Sequence, residues 1–111
     1  MILVTARTTV WAYHSWPGAP DHRSYLRAPH PHNFGVRVTV RTEGDDRVVE
    51  FHDLVDDVQR QLGFMAPTQS FGMQSCEMIA QALAGRLADQ SYIVDRVDVT
   101  EDEQHTGTWR L

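Results

Sequence analysis

An α+β fold, with an antiparallel sheet carrying its helices on one face, is predicted by three features of this 111-residue chain. Both ends of the chain alternate apolar and polar residues with the period of a strand. The middle carries two stretches with apolar residues at helical spacing. Strands and helices are thus segregated along the chain instead of alternating, which argues against a parallel βαβ sheet.

The elements follow in order. "ILVTARTTVWAYH", residues 2–14, is rich in β-branched and aromatic types and reads as a long strand. Its even positions form an apolar row, Ile2, Val4, Ala6, Thr8, Val10 and Ala12, that ends in His14. The next segment, "SWPGAPDHRSYLRAPHP", holds four prolines and a glycine and reads as a loop of a length that usually carries function. In "FGVRVTVRT", residues 34–42, Phe34, Val36, Val38 and Val40 face one way and Arg37, Thr39 and Arg41 the other. "TEGDD" reads as a hairpin turn and "RVVEF" as a third, shorter strand. In "HDLVDDVQRQL", Leu54, Val55, Val58 and Leu62 share a helical face, with acidic residues in the first turn where the helix dipole favours them. "GFMAPTQSFGMQ" is expected to break that helix. Ser75 is placed to cap a second helix, residues 76–90, through Cys76, Ile79, Ala80, Leu83 and Leu87. Residues 92–101 return to alternation, with Ile93, Val97, Val99 and Glu101 on one side, and "HTGTWRL" supplies a short last strand.

Composition bounds the function. The length fits one domain spanning residues 1–111, and 41% hydrophobic with 23% charged residues is ordinary for a globular chain. A formal charge of −5 disfavours a nucleic-acid partner, which wants a basic face. No stretch approaches the ~20 apolar residues of a membrane helix, and the start "MILVTARTTV" lacks the pattern of a secretion signal. The single cysteine, Cys76, rules out an intramolecular disulfide. A cytoplasmic protein without a membrane partner is the expectation.

Six histidines are the more telling count. In "APHPHNF", His30 and His32 continue the even row of Phe34, Val36 and Val38, so both point to the apolar side if the strand extends back that far. Pro31 biases its neighbour toward extended backbone and belongs at a strand end or edge. His14 ends the neighbouring apolar row. Three imidazoles meeting at the end of two antiparallel strands have the ligand number of a catalytic zinc site with an open position. Such a metal polarises a carbonyl or acidifies bound water. A lone H-x-H is common, however, and His14 read by itself is equally a core histidine bonded to a backbone carbonyl.

The order of elements and several local motifs resemble the 6-pyruvoyl-tetrahydropterin synthase and 6-carboxytetrahydropterin synthase family. "HPHNF" is similar to that family's "HGHNY", and His14 falls at the family's first zinc histidine. "RVVEFHDLVDDV" resembles its passage into the first helix, "SCEMIAQAL" the start of its second, and "VDVTED" its pterin-holding strand. The resemblance covers nearly the whole chain. It implies a tunnelling fold, a four-stranded antiparallel sheet with two helices on one face, which oligomerises into a barrel. It implies Zn2+ held by His14, His30 and His32, and Glu101 gripping the amino-bearing edge of a pterin or purine-like ligand. A carboxylate ending an apolar row fits that role, because burying it needs a partner, and two oxygens match an adjacent N–H and amino group. The implied activity is that of a carbon–oxygen or carbon–carbon lyase in tetrahydrobiopterin or deazaguanine (queuosine) biosynthesis.

Two family features are absent. No cysteine precedes the paired histidines in "HRSYLRAPHPH", and the interhelical segment lacks the family's aspartate–histidine pair. Asp21 and His22, an acid–base pair in the long loop, are the candidates to move protons in their place; His52 and His105 are weaker ones. The alternative is a zinc-containing pterin- or nucleotide-binding module that has given up turnover. Cys76 reads as a buried core thiol, and Glu77 as a helix-dipole residue. Trp11 and Tyr13, on the face opposite His14, need covering, so a homo-oligomer is expected.

Overall fold

β-Branched residues and strict alternation at the start of the chain build a long antiparallel pair that organises everything else. The computed structural model describes all residues, Met1–Leu111. Strand β1 (Ile2–His14) pairs with β2 (His30–Thr42) along its full length, from Ile2 opposite Thr42 to His14 opposite His30. Thirteen residues at the rise of a strand span about 44 Å, which accounts for most of the longest molecular dimension of 51 Å. β3 (Ile93–Glu101) lies against β2, and β4 (His105–Arg110) against β3, so the sheet order is β1-β2-β3-β4, all antiparallel.

Helices α1 (Phe51–Met65) and α2 (Cys76–Asp89) cover one face. α1 packs on β1 and α2 on β3 and β4, and the two helices touch. Between them and the sheet lies a single core that includes the even row of β2, Phe34, Val36, Val38 and Val40. Leu54, Val58 and Leu62 enter it from α1, with Val55 at its margin. Cys76, Ile79, Ala80, Leu83 and Leu87 enter it from α2. Ser75 caps α2 as expected, its hydroxyl accepting from the Met78 amide at 3.2 Å. This is the four-stranded antiparallel sheet with two helices on one face that the resemblance implies. No helix is long and apolar enough to cross a membrane.

Four local expectations are corrected. "RVVEF" is not a strand: residues 47–50 are irregular, Arg47 has a φ of 52°, and Phe51 already opens α1. Both edges of β2 are occupied by β1 and β3, so no partner is free for it, and "TEGDD" leads into a bend instead of a hairpin. Helix α1 runs through Gly63 and Phe64 to Met65. It stops before Pro67, whose ring disfavours helical backbone in Ala66. In β3 the alternation breaks: Val94 pairs with Val40 while Arg96 pairs with Thr39, leaving Asp95 as an extra residue. That bulge turns Ile93 outward and Val94 inward, and restores the expected phase for Val97 and Val99.

Candidate metal centre

The three histidines converge because their strands share register and parity. His14 and His30 are direct cross-strand partners, and His32 lies opposite Ala12 one repeat further along the same face. Ring centroids are 4.6 Å apart for His14 and His30, and 5.1 Å for each of the other two pairs. One ring nitrogen from each falls within 4.8 Å of the others. Phe34 closes the inner side, its ring edge-on to His14 at 5.2 Å and to His32 at 5.5 Å, with Phe71 behind it. His14 is buried; His30 and His32 are half-buried.

Pro31 sits in β2 without breaking it. The Asn33 amide and carbonyl both bond Asp102, so the same side of β2 two residues earlier is where an N–H would project. β3 has ended before that point, and no ladder bond is lost.

Each imidazole is fixed through its Nδ1. His14 donates to the Gln74 carbonyl at 2.9 Å and His30 to the Ala28 carbonyl at 2.9 Å. His32 donates to the Asp102 carboxylate at 2.6 Å. A carbonyl only accepts, so Nδ1 of His14 and of His30 carries a proton, and in a neutral ring held this way Nε2 is the nitrogen free to bind a metal. Metal-binding histidines are oriented in this way, by an acceptor behind the ring. The donor set therefore fits a divalent cation bound by three neutral imidazoles, with three ligands in the manner of a catalytic zinc site. Burial pushes the His14 pKa below its ordinary value, against the pull of the Gln74 carbonyl and Glu101, which keeps that ring neutral. Asp102 is held below the usual carboxylate range by its bond to His32 and by the Asn33 amide.

The supports come from unexpected places. The segment between the helices runs beside the end of β1: the Phe71 amide donates to the Tyr13 carbonyl and the Ser15 amide to the Gly72 carbonyl, both at 2.9 Å. Gly72, at a φ of 65°, makes the bend that carries the Gln74 carbonyl onto His14. Backbone carbonyls leave no trace in residue types, so Gln74 and Ala28 were not foreseeable. Asp102 does carry a signal in the sequence, an aspartate directly after Glu101 where the strand ends.

Glu101 lies beside two of the imidazoles, 3.3 Å from His14 Nε2 and 3.7 Å from His32 Nε2. The Cys76 thiol points at the same carboxylate at 3.5 Å. Burial, and then the Glu101 charge, push this thiol up to about 12, so it stays protonated at neutral pH. A cavity of about 500 Å³ opens beside His14, His30 and Glu101, walled by Trp16, Met73 and Met78. His105 and Glu77 also line it. A wider hollow of about 620 Å³ lies on the opposite sheet face and is almost entirely polar, with Arg7, Arg37 and several threonines.

Asp21 and His22 stand elsewhere. The Asp21 carboxylate accepts from Arg27 Nη2 at 2.7 Å and helps fold the long loop on itself. Both residues are exposed on the 3-10 turn Asp21–Leu26, and neither lines the cavity. His52 is exposed at the start of α1, bonded to Glu50. Trp11 and Tyr13 project from the face opposite His14, 51% and 40% exposed in the single chain.

Comparison with known proteins places this geometry. Solved structures share the fold at low identity. The Caenorhabditis elegans 6-pyruvoyl tetrahydropterin synthase has a TM-score of 0.67 at 15% identity, covering 99% of this chain and 95% of that one. The Plasmodium falciparum enzyme has 0.67 at 13%, covering 99% and 97%. The Plasmodium vivax enzyme has 0.61 at 14%, covering 100% and 99%. No curated protein matches the chain significantly. The model of the 6-pyruvoyl tetrahydropterin synthase family matches residues 4–110, from within β1 to the end of β4. With all three histidines inside that span, the chain belongs to the 6-pyruvoyl tetrahydropterin synthase family.

Proposed function

We propose that the protein is a zinc-containing binding module for a pterin or related purine-like compound, and that it does not turn that compound over. The observation that carries this reading is a contrast within one site. The three imidazoles and their Nδ1 partners are complete, whereas the cysteine and the aspartate–histidine pair expected of the family's catalysts are missing from the sequence. Cys76, the only thiol, is protonated and turned onto Glu101, which unfits it as a base. Asp21 and His22 take no part in this reading.

The cavity suits a flat bicyclic ligand. Its Trp16 and Met73 walls offer apolar and aromatic faces, and the metal would hold oxygens of the ligand's side chain. Zinc, when bound, supplies a Lewis-acidic anchor for those oxygens. In the assembled protein, β1 of one copy beside β4 of the next would close both sheet edges and cover Trp11 and Tyr13.

One observation favours the lyase alternative: His105, exposed and unshielded, is the cavity-lining histidine outside the triad and could move a proton. Zinc-loaded protein should be titrated calorimetrically with dihydroneopterin triphosphate while product is followed by chromatography. Saturable binding without product is expected. Turnover lost on His105→Ala would establish the lyase instead, and absence of binding would overturn the ligand class.

A further inference from the structure

We infer that the sheet face opposite the helices carries a second binding site, in which Arg7 and Arg37 grip a multiply charged oxyanion of the phosphate or polyphosphate class. The site is separate from the metal centre and does not rest on it. Arg7 and Arg37 are direct cross-strand partners on β1 and β2. Side chains so opposed start about 4.5–5.5 Å apart at Cβ, and like charges in that position repel. Neither guanidinium forms an ion pair within the chain to offset this. Arg37 has Asp98 of β3 as its other cross-strand neighbour, but that carboxylate is already taken. Both its oxygens accept from Arg96 Nε at 3.0 Å, and one also accepts from the Thr108 hydroxyl. By contrast, Arg41 further along β2 pairs with Asp95 at 3.0 Å. The chain has 15 acidic residues against 10 basic ones, so two adjacent arginines without an acid do not follow from composition.

The surroundings leave room for such an anion. Both arginines open onto the polar hollow of about 620 Å³, far more space than one phosphate group fills. The next row on this face is Thr9, Gly35 and Thr100. Gly35 adds no side chain, and a Cβ there would meet only Thr100 Cβ, at 3.8 Å. The floor beside the arginine pair is therefore open. Of the other charged groups lining the hollow, Arg96 and Asp98 neutralise each other. Glu103 remains, one carboxylate against two guanidiniums. A guanidinium fork matches two phosphate oxygens, and two forks side by side favour an anion of more than one charge. The cavity beside the histidines lies on the other face of the sheet, so a ligand there and an anion here do not compete.

The test is calorimetric titration of the intact protein with sodium pyrophosphate at low ionic strength. Saturable binding is expected, and it should weaken as salt is raised, because the contact is electrostatic. Arg7→Gln and Arg37→Gln should each lose roughly tenfold or more in affinity. Arg37→Lys, which keeps the charge but not the fork, should recover part of that loss. Both side chains are exposed, so neither substitution disturbs the core, and circular dichroism checks the fold. Adenosine diphosphate separates two sources of the same chemistry. Affinity equal to or weaker than that of pyrophosphate assigns the site to a free anion, and tighter affinity assigns it to the phosphates of a nucleotide. Absence of saturable binding in wild type would overturn the inference. So would binding that both Gln variants retain in full, which would place the anion at the metal centre. Loss of the oligomer in Arg7→Gln, without any effect of pyrophosphate on wild type, would assign the pair to a carboxylate of a second copy and also overturn it.

Discussion

Asp102 has a φ of 49° and follows Glu101 in the turn between β3 and β4. Aspartate tolerates this left-handed backbone better than most residues, and the turn it permits aims one carboxylate at both the Asn33 amide and His32 Nδ1. It acts on the metal only through His32 and is a positioning residue. Asp102→Ala should lower zinc affinity about 10–100-fold, measured by chelator competition. The metal-free variant should keep the wild-type circular dichroism spectrum, since the side chain lies at the surface. Affinity within error of wild type would leave Asp102 a turn residue alone. At this scale the sequence was most legible where parity decides direction: His14, His30 and His32 share one face because a strand side chain reverses at every step. It was least legible for partners that are backbone atoms, such as the Gln74 and Ala28 carbonyls.

Between elements, the closest approach is that of β4 to the start of α2. A Cβ on Gly107 would stand 2.8 Å from the Glu77 amide nitrogen and 3.0 Å from the Cys76 carbonyl carbon, both backbone atoms that cannot swing aside. Gly107→Ala should therefore cost about 1–3 kcal/mol by urea denaturation. It should also reshape the cavity beside His14 and His30, because the displaced turn of α2 carries Cys76 and Glu77, which line it. Ser75→Ala, which removes the cap of that helix, should cost about 1 kcal/mol. Equal stability of both variants and wild type would contradict this packing. The helices were readable from spacing and caps because their periodicity is long. "RVVEF" misled because local β propensity says nothing about whether a partner edge is free. The Asp95 bulge was invisible because one extra residue inverts the phase of only the first residues of β3.

For the whole molecule, the exposed Trp11 and Tyr13 and the two outer strands are surfaces that a second copy of the chain would cover. Light scattering should find a closed oligomer, and Trp11→Arg should shift it to smaller species. A monomer at every concentration would refute this assembly. The topology was legible as a class from segregated strands and helices, but the side-by-side order β1-β2-β3-β4 needed the coordinates. The central claim is that one divalent ion is held by His14, His30 and His32. Elemental analysis of dialysed wild type and His32→Ala tests it most directly. The account predicts about one zinc per chain in wild type, as for a structural or catalytic zinc site, and near-complete loss in the variant. Metal-free wild type after zinc loading, or undiminished zinc in His32→Ala, would contradict it.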